Sequence, residues 1–361
     1  MNDQVLRVNL GQRSYDIVVA ANALVRLGDF ARERSKGNAA LVITDDNAKV
    51  HAAPIVQSLD GAGFRTRLVV RPSGEAQKSL ASAAELYDAL FDLPADRRTL
   101  VVAVGGGVVG DLAGFVAATY ARGIPLLMVP TTLLAMVDSS VGGKVGVNHP
   151  RAKNMIGAFH QPVGVFIDVA ALNTLPDREF GSGLAEVVKY GVILDAGFFA
   201  YVEKNTDAIL KRDPVAIQHI VLRSCELKAK IVEQDEREET DIRAKLNYGH
   251  TFAHAFETAA GYGAWLHGEA VAAGMVCASR LAERRGLIAR DITERQVALL
   301  GAFSLPVHPD KTWPIDDLLA TMRKDKKAVG GKMRFVLPTK LGDVAVFSDV
   351  PEGDVKLVME S

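Results

Sequence analysis

The chain has 361 residues, 48% hydrophobic and 24% charged, with 42 Lys and Arg against 43 Asp and Glu for a formal net charge of -1. This length suits two globular domains with sizeable cores, and the even charge balance argues against a general nucleic-acid binder, which carries a basic excess. Two cysteines, Cys225 and Cys277, cannot build a disulfide framework and read as buried small hydrophobes. The opening MNDQVLRVNLGQRSYD has no apolar signal-peptide core, and no apolar run approaches the ~18–20 residues of a membrane span. A soluble, cytoplasmic protein that binds neither membrane nor nucleic acid is expected.

In chain order, VLRVNL (5–10) and YDIVVA (15–20) read as a strand pair. ALVITD (40–45), RLVV (67–70), LVVAV (100–104), PLLMVP (125–130) and VFIDV (165–169) read as strands, most of them apolar on both faces. Helical segments such as QKSLASAAELYDALFDL (77–93) lie between them. That alternation predicts a doubly wound parallel sheet. After Pro176 long helices dominate: DREFGSGLAEVVKYGVIL, PVAIQHIVLRSCELKAKIVEQDE, LNYGHTFAHAFETAA and GEAVAAGMVCASRLAERRG, then a hairpin in MRFVLPTKLGDVAVFSDV. The expected architecture is an α/β Rossmann-like domain over 1–175 and a mainly α-helical domain over 176–361.

GGGVVGD (105–111) follows the LVVAV strand and opens a helix, DLAGFVAATYA. Gly105, Gly107 and Gly110 match G-x-G-x-x-G, which lets backbone N–H groups at a helix start meet a phosphate. The next strand ends in Thr131 and Thr132, without the usual acidic residue for a ribose; Asp45 and Glu75 follow other strands and are the alternatives. DSSVGGKVGVN (138–148) and RAKNMIGAFHQP (151–162) read as a long glycine-rich irregular stretch, of the kind that carries function. It holds Lys144, Lys153 and Asn154, and Lys228 and Arg243 lie downstream. Lys189 stands among apolar residues in GLAEVVKYGVIL, where a charge is costly unless paired, and Glu186 shares its helix face three residues earlier.

NYGHTFAHAFETAAGYGAWLHGE (247–269) holds three of the eight histidines. Two His and one carboxylate suit a catalytic zinc site with an open position. His250 and His254 share a helix face at i and i+4, but HTFAH lacks the glutamate of H-E-x-x-H. His250 with His267 is the other pairing, and spacing alone leaves the choice open.

GGGVVGD, the Thr pair after the next strand, DSSVGGK, the KN nine residues beyond that lysine, GLAEVVK, NYGHTFAHA and LHGEAVA occur in this order. Together they resemble the 3-dehydroquinate synthase family of sugar-phosphate cyclases, from TDDN (44–47) to DKK (325–327). The resemblance implies NAD and a divalent metal, zinc first and cobalt as the alternative. It implies Glu186, His250 and His267 as metal ligands and places His254 beside the substrate instead. Lys144, Lys153, Asn154, Lys189, Lys228, Arg243 and Asn247 match substrate-pocket positions. Arg122, in Y-x-R-G, would reach the substrate phosphate across a homodimer interface, and DKK supplies one more lysine, Lys326 or Lys327. NAD contacts would come from Asp45, Asn47, Glu75, Lys78, Gly106, Gly107, Val108 and Asp111. Thr131, Thr132, Asp138, Lys144, Lys153, Thr174 and Glu179 would complete them. Ala253 and Val145 depart from the family's common Gly and Thr without removing a charged or ligating group. The implied reaction turns 3-deoxy-D-arabino-heptulosonate 7-phosphate into 3-dehydroquinate and phosphate through transient oxidation, elimination, re-reduction, ring opening and aldol closure. The rivals are a sibling cyclase, a metal- and NAD-dependent alcohol dehydrogenase of the glycerol dehydrogenase kind, and a catalytically silent binding protein.

Overall fold

The structure, a computed structural model, describes residues 3–261, 263–327 and 333–360. The chain divides into two compact units, Met1–Leu175 with Ile217–Arg237, and Pro176–Ala216 with Glu238–Ser361.

In the first unit nine strands form: β1 Gln4–Val8, β2 Tyr15–Ala20, β3 Ala39–Asp45, β4 Arg65–Arg71, β5 Leu100–Gly105, β6 Leu126–Pro130, β7 Lys144–His149, β8 Ala152–Phe159 and β9 Gly164–Asp168. Seven make one sheet in the order β1-β2-β9-β6-β5-β3-β4. All neighbours in it run parallel except β1 and β2, which pair antiparallel. The inner strands β5, β6 and β9 are buried along their whole length, as strands covered on both faces must be. Leu27 and Phe30 of one helix and Ile55 and Leu59 of the next pack on Val42, Val102, Val129 and Phe166. Each such side chain contributes about 1.5–3 kcal/mol on burial. β4, at the edge, alternates exposed and half-buried residues and carries Arg65, Arg67 and Arg71, charges that discourage edge-to-edge pairing.

The stretch 138–162, expected to be irregular, instead holds an antiparallel hairpin, β7 with β8. Its glycines serve close approach: a Cβ on Gly157 would lie 2.4 Å from the Val145 carbonyl oxygen, and one on Gly146 would lie 2.8 Å from that of Ile156. The register slips between Val147 and His149.

Residues 217–237, expected from sequence in the C-terminal domain, group with the first unit. Hydrogen bonds hold them there. Gln218 donates to the Val19 carbonyl (3.0 Å), Lys228 to the Asp138 carbonyl (2.6 Å), and Asn9 N–H to Glu233 (2.6 Å). Arg13 donates twice to Glu236, at 3.0 and 2.6 Å.

The second unit contains the helices Asp177–Leu194, His250–Ala260 and His267–Arg284, and a hairpin of β10 (Phe335–Lys340) and β11 (Asp343–Phe347). Glycines bring these three helices together. A Cβ on Gly268 would fall 1.8 Å from the Ser182 carbonyl oxygen, and one on Gly274 would fall 2.3 Å from that of Gly249. Gly268 N–H also donates to the Ser182 hydroxyl at 3.0 Å. Among the described residues no helix is long and apolar enough to cross a membrane.

Candidate metal centre and phosphate loop

In the second unit, Glu186 and Lys189 lie three residues apart on the Asp177–Leu194 helix and form an ion pair with almost no exposed surface. Around Glu186 stand two imidazoles. His250 Nε2 is 3.7 Å and His267 Nε2 3.6 Å from Glu186 Oε1. Ligand atoms of Glu186, His250 and His267 all lie within 4.8 Å of one another. A tetrahedral zinc site with bonds of about 2.0–2.2 Å separates its ligand atoms by roughly 3.3–3.6 Å. Two imidazoles and one carboxylate at this spacing therefore fit such an ion, with a coordination position left over. His254, one turn beyond His250, is exposed, and the two ring centroids are 6.0 Å apart.

The electrostatics of the two histidines differ. Burial and the neighbouring Lys189 lower His250 to about 3. Burial also opposes the charge on His267, but the facing carboxylates of Glu186 and Glu257 outweigh it and raise His267 to about 10. Two residues not singled out from sequence stand beside these rings. The Tyr248 carbonyl accepts from His250 Nδ1 at 3.1 Å, and Glu257 Oε1 lies 3.5 Å from His267 Nδ1. The Tyr248 hydroxyl is itself anchored in the core, donating to Gln296 Oε1 at 2.7 Å. The signal for Glu257 was its place seven residues after His250, two helical turns along the same face.

Arg243 is buried in the short helix Asp241–Ala244, whose N-cap is the Thr240 hydroxyl, while Asn247 is exposed. Lys326 and Lys327 lie outside the residues whose side chains are described. Glu179 is exposed, and burial of its carboxyl still raises its pKa.

In the first unit, β4 lies on one side of β3 and β5 on the other, so the strand order reverses between β3 and β5. Open α/β sheets bind ligands outside the carboxyl ends of such strands. At those ends stand Asp45 and the Gly105–Gly107 loop. Gly106 is the N-cap of the helix Gly107–Thr119, which also carries Val108 and Asp111, so free N–H groups and the positive end of the dipole face the loop. Asp45 Oδ1 accepts from Asn47 and Ala48 N–H, at 3.0 and 2.8 Å, which fixes this turn. Thr131 and Thr132 follow β6, and Thr131 N–H donates to the Gly105 carbonyl at 3.0 Å.

Lys78, Asp111, Asn154 and Glu75 form a linked network with Asn148. Buried Lys78 donates to Asp111 Oδ2 at 2.7 Å and to Asn154 Oδ1 at 2.5 Å. Burial raises the Asp111 carboxyl above its ordinary value in spite of Lys78. Asn148 donates to Glu75 Oε1 at 2.7 Å and accepts from Asn154 N–H at 2.8 Å. Lys228 holds Asp138 Oδ1 at 2.8 Å, and Asp138 sits in a π-helical turn, Ala135–Ser139. Thr174 is bonded to His51 at 3.0 Å. Lys144 is exposed at the start of β7 and Lys153 half-buried in β8. Arg122 is exposed with φ 69°, in a left-handed turn with Ala121.

Models of the 3-dehydroquinate synthase N-terminal and C-terminal regions match residues 68–182 and 183–328. The 3-dehydroquinate synthase of Desulforamulus reducens (strain ATCC BAA-1160 / DSM 100696 / MI-1) is 51% identical over 355 residues, 98% of this chain and 99% of the relative. Among solved structures, a 2-epi-5-epi-valiolone synthase from Streptomyces hygroscopicus subsp. jinggangensis 5008, with NAD+ and Zn2+ bound, superposes with a TM-score of 0.88 at 29% identity, covering 98% of this chain and 97% of that one. A 2-deoxy-scyllo-inosose synthase complexed with carbaglucose-6-phosphate, NAD+ and Co2+ does so with a TM-score of 0.88 at 26% identity, covering 99% of each chain. With both halves matched by the family models and half of its residues shared with a full-length relative, this chain belongs to the 3-dehydroquinate synthase family.

Proposed function

We propose that this chain converts 3-deoxy-D-arabino-heptulosonate 7-phosphate into 3-dehydroquinate and inorganic phosphate, a step of the shikimate pathway, with NAD and a divalent metal, zinc or cobalt, as cofactors. The observation that carries the reading is the 51% identity to a 3-dehydroquinate synthase along 98% of the chain. The two sibling cyclases of known structure named above share 29% and 26%.

Glu186, His250 and His267 would hold the metal, which when bound supplies the Lewis acidity that makes a substrate hydroxyl easier to deprotonate. NAD supplies a hydride acceptor that returns its hydride within the same turnover. The chain's own residues bind and position. N–H groups of Gly106, Gly107 and Val108 at the helix start suit a pyrophosphate. Asp45, Asn47 and Glu75 suit ribose hydroxyls. Lys78 and Asp111 brace one another, and Thr131, Thr132, Asp138, Thr174 and Glu179 complete the cofactor side.

The substrate carries a carboxylate, a phosphate and several hydroxyls, and the cations match it. Lys144, Lys153, Lys189, Lys228 and Arg243 would neutralise its anionic ends, while Asn154 and Asn247 would bond hydroxyls. His254 would exchange a proton with the substrate, as an exposed imidazole near the centre can. Arg122 and Lys326 would hold the phosphate, with Arg122 contributed by the partner in a homodimer. Cytoplasmic residence belongs to the same reading, as does a change of domain at 175/176 with residues 217–237 returning to the first domain.

The test is incubation of the purified chain with the heptulosonate phosphate, NAD and zinc. One 3-dehydroquinate and one phosphate are expected per substrate consumed. Phosphate release with a different carbocycle would favour a sibling cyclase, and no phosphate release would overturn the reading.

A further inference from the structure

His267 and His250 each turn Nε2 toward Glu186, yet among the described residues only His250 has a main-chain partner on its Nδ1. The Tyr248 carbonyl takes the Nδ1 proton of His250 at 3.1 Å and so fixes both the tautomer and the ring plane. For His267 the group facing Nδ1 is Glu257 Oε1, at 3.5 Å, from a mostly buried side chain. We propose that Glu257 is the positioning residue for His267, its carboxylate holding the Nδ1 proton so that the Nε2 lone pair points at the site formed with Glu186 and His250.

Three features of the fold support this. Glu257 lies two turns after His250 on the His250–Ala260 helix, so one helix face carries a ligand candidate and the orienter of the other. The Cα of His267 is fixed, because Gly268 is pressed against Ser182 and bonded to its hydroxyl at 3.0 Å. The ring orientation is left to the side-chain environment. The carboxylate on the first turn of His267's own helix is committed elsewhere. Glu269 takes Arg178 Nε at 2.6 Å and the Leu266 N–H at 2.7 Å. A carboxylate on the outer nitrogen of a ligating imidazole raises its basicity and fixes its aim, and losing such a partner typically weakens metal binding 10–100-fold.

The inference rests on the proposal that Glu186, His250 and His267 hold the metal. Zinc dissociation constants of the full-length wild type, Glu257→Gln, Glu257→Ala and Glu186→Gln would be measured by chelator competition. Visible spectra of the cobalt-loaded proteins and metal-free melting curves would accompany them. Glu257→Ala is expected to bind zinc about 10–100-fold more weakly than wild type. Glu257→Gln should lose less, because its amide oxygen still accepts the Nδ1 proton, and both should shift the cobalt bands. If Glu257→Ala does not fold, Glu257→Gln, of equal size, carries the test through affinity and spectrum together. Wild-type affinity and an unchanged cobalt spectrum in the Glu257 variants overturn the inference while the metal site stands. Full zinc retention in Glu186→Gln overturns the metal site, and this inference with it.

Discussion

Glu186 is completely buried, shares its helix face with the cation Lys189 and faces two imidazoles. Removing Lys189 would take the ammonium partner away from the buried carboxylate. Lys189→Ala should therefore destabilise the metal-free protein by at most about 3–5 kcal/mol, the cost of breaking a buried pair, with the protonated His267 beside Glu186 offsetting part of it. Zinc should restore part of that loss, and thermal melts with and without zinc would reveal it; equal losses in both conditions would contradict the account. Activity should largely vanish in the same variant. For the metal itself, His267→Ala and Glu186→Gln are expected to lose zinc and turnover together, whereas His254→Ala keeps zinc and loses rate. Metal analysis of the three purified proteins decides this, and a metal-free His254→Ala would reverse the ligand assignment. The sign of the pH dependence also follows. His267 keeps its proton up to about 10, and a ligating imidazole must be neutral, so zinc has to displace that proton. Affinity should then fall roughly tenfold for each pH unit below that value. His250, lowered to about 3, is already neutral and adds no slope. Zinc-buffer titrations at three pH values between neutral and alkaline measure the slope, and a flat profile would contradict it.

Among the elements, the crossing of the Asp177–Leu194 and His267–Arg284 helices sets the spacing of the metal centre, because Glu186 and His267 ride on them. A methyl at Gly268 would have to displace the Ser182 carbonyl, which is backbone and cannot swing aside. Gly268→Ala should therefore weaken zinc binding and lower the melting temperature by several degrees, while Gly261→Ala, with open space but a φ of 78°, should cost only backbone strain and leave zinc binding intact. The strands of the large sheet were legible because continuous β-branched runs bounded by turns have few other solutions. The β7–β8 hairpin was not. Glycine is a poor strand former, and Gly146 and Gly157 read as loop until the close backbone approach between their strands explains them. The helix over Pro214–Gln234 was evident, but its buried residues do not say which unit they will meet.

For the molecule as a whole, the decisive prediction concerns the nicotinamide. A cyclase returns its hydride, so NAD is needed only in catalytic amount. With substrate in large excess over NAD, conversion should run to completion, with NAD recovered oxidised and no steady rise in NADH absorbance. Conversion that stops after one equivalent, with matching NADH, would indicate a dehydrogenase.

The sequence by itself determined the two fold types, a glycine-rich loop opening a helix and the family, since each depends on local periodicity or on ordered motifs; spacing alone left the histidine pairing open, and the family resemblance implied Glu186, His250 and His267. Only the tertiary structure brought His250 and His267 to 3.7 and 3.6 Å from Glu186, and decided that Glu257 and the Tyr248 carbonyl back them and that Asn148 links Glu75 to Asn154. Most of those contacts join different helices or loops, and close approaches at Gly268 and Gly274 bring the helices of the second unit together. Helical spacing along one element carries no information about the distance to a side chain on another.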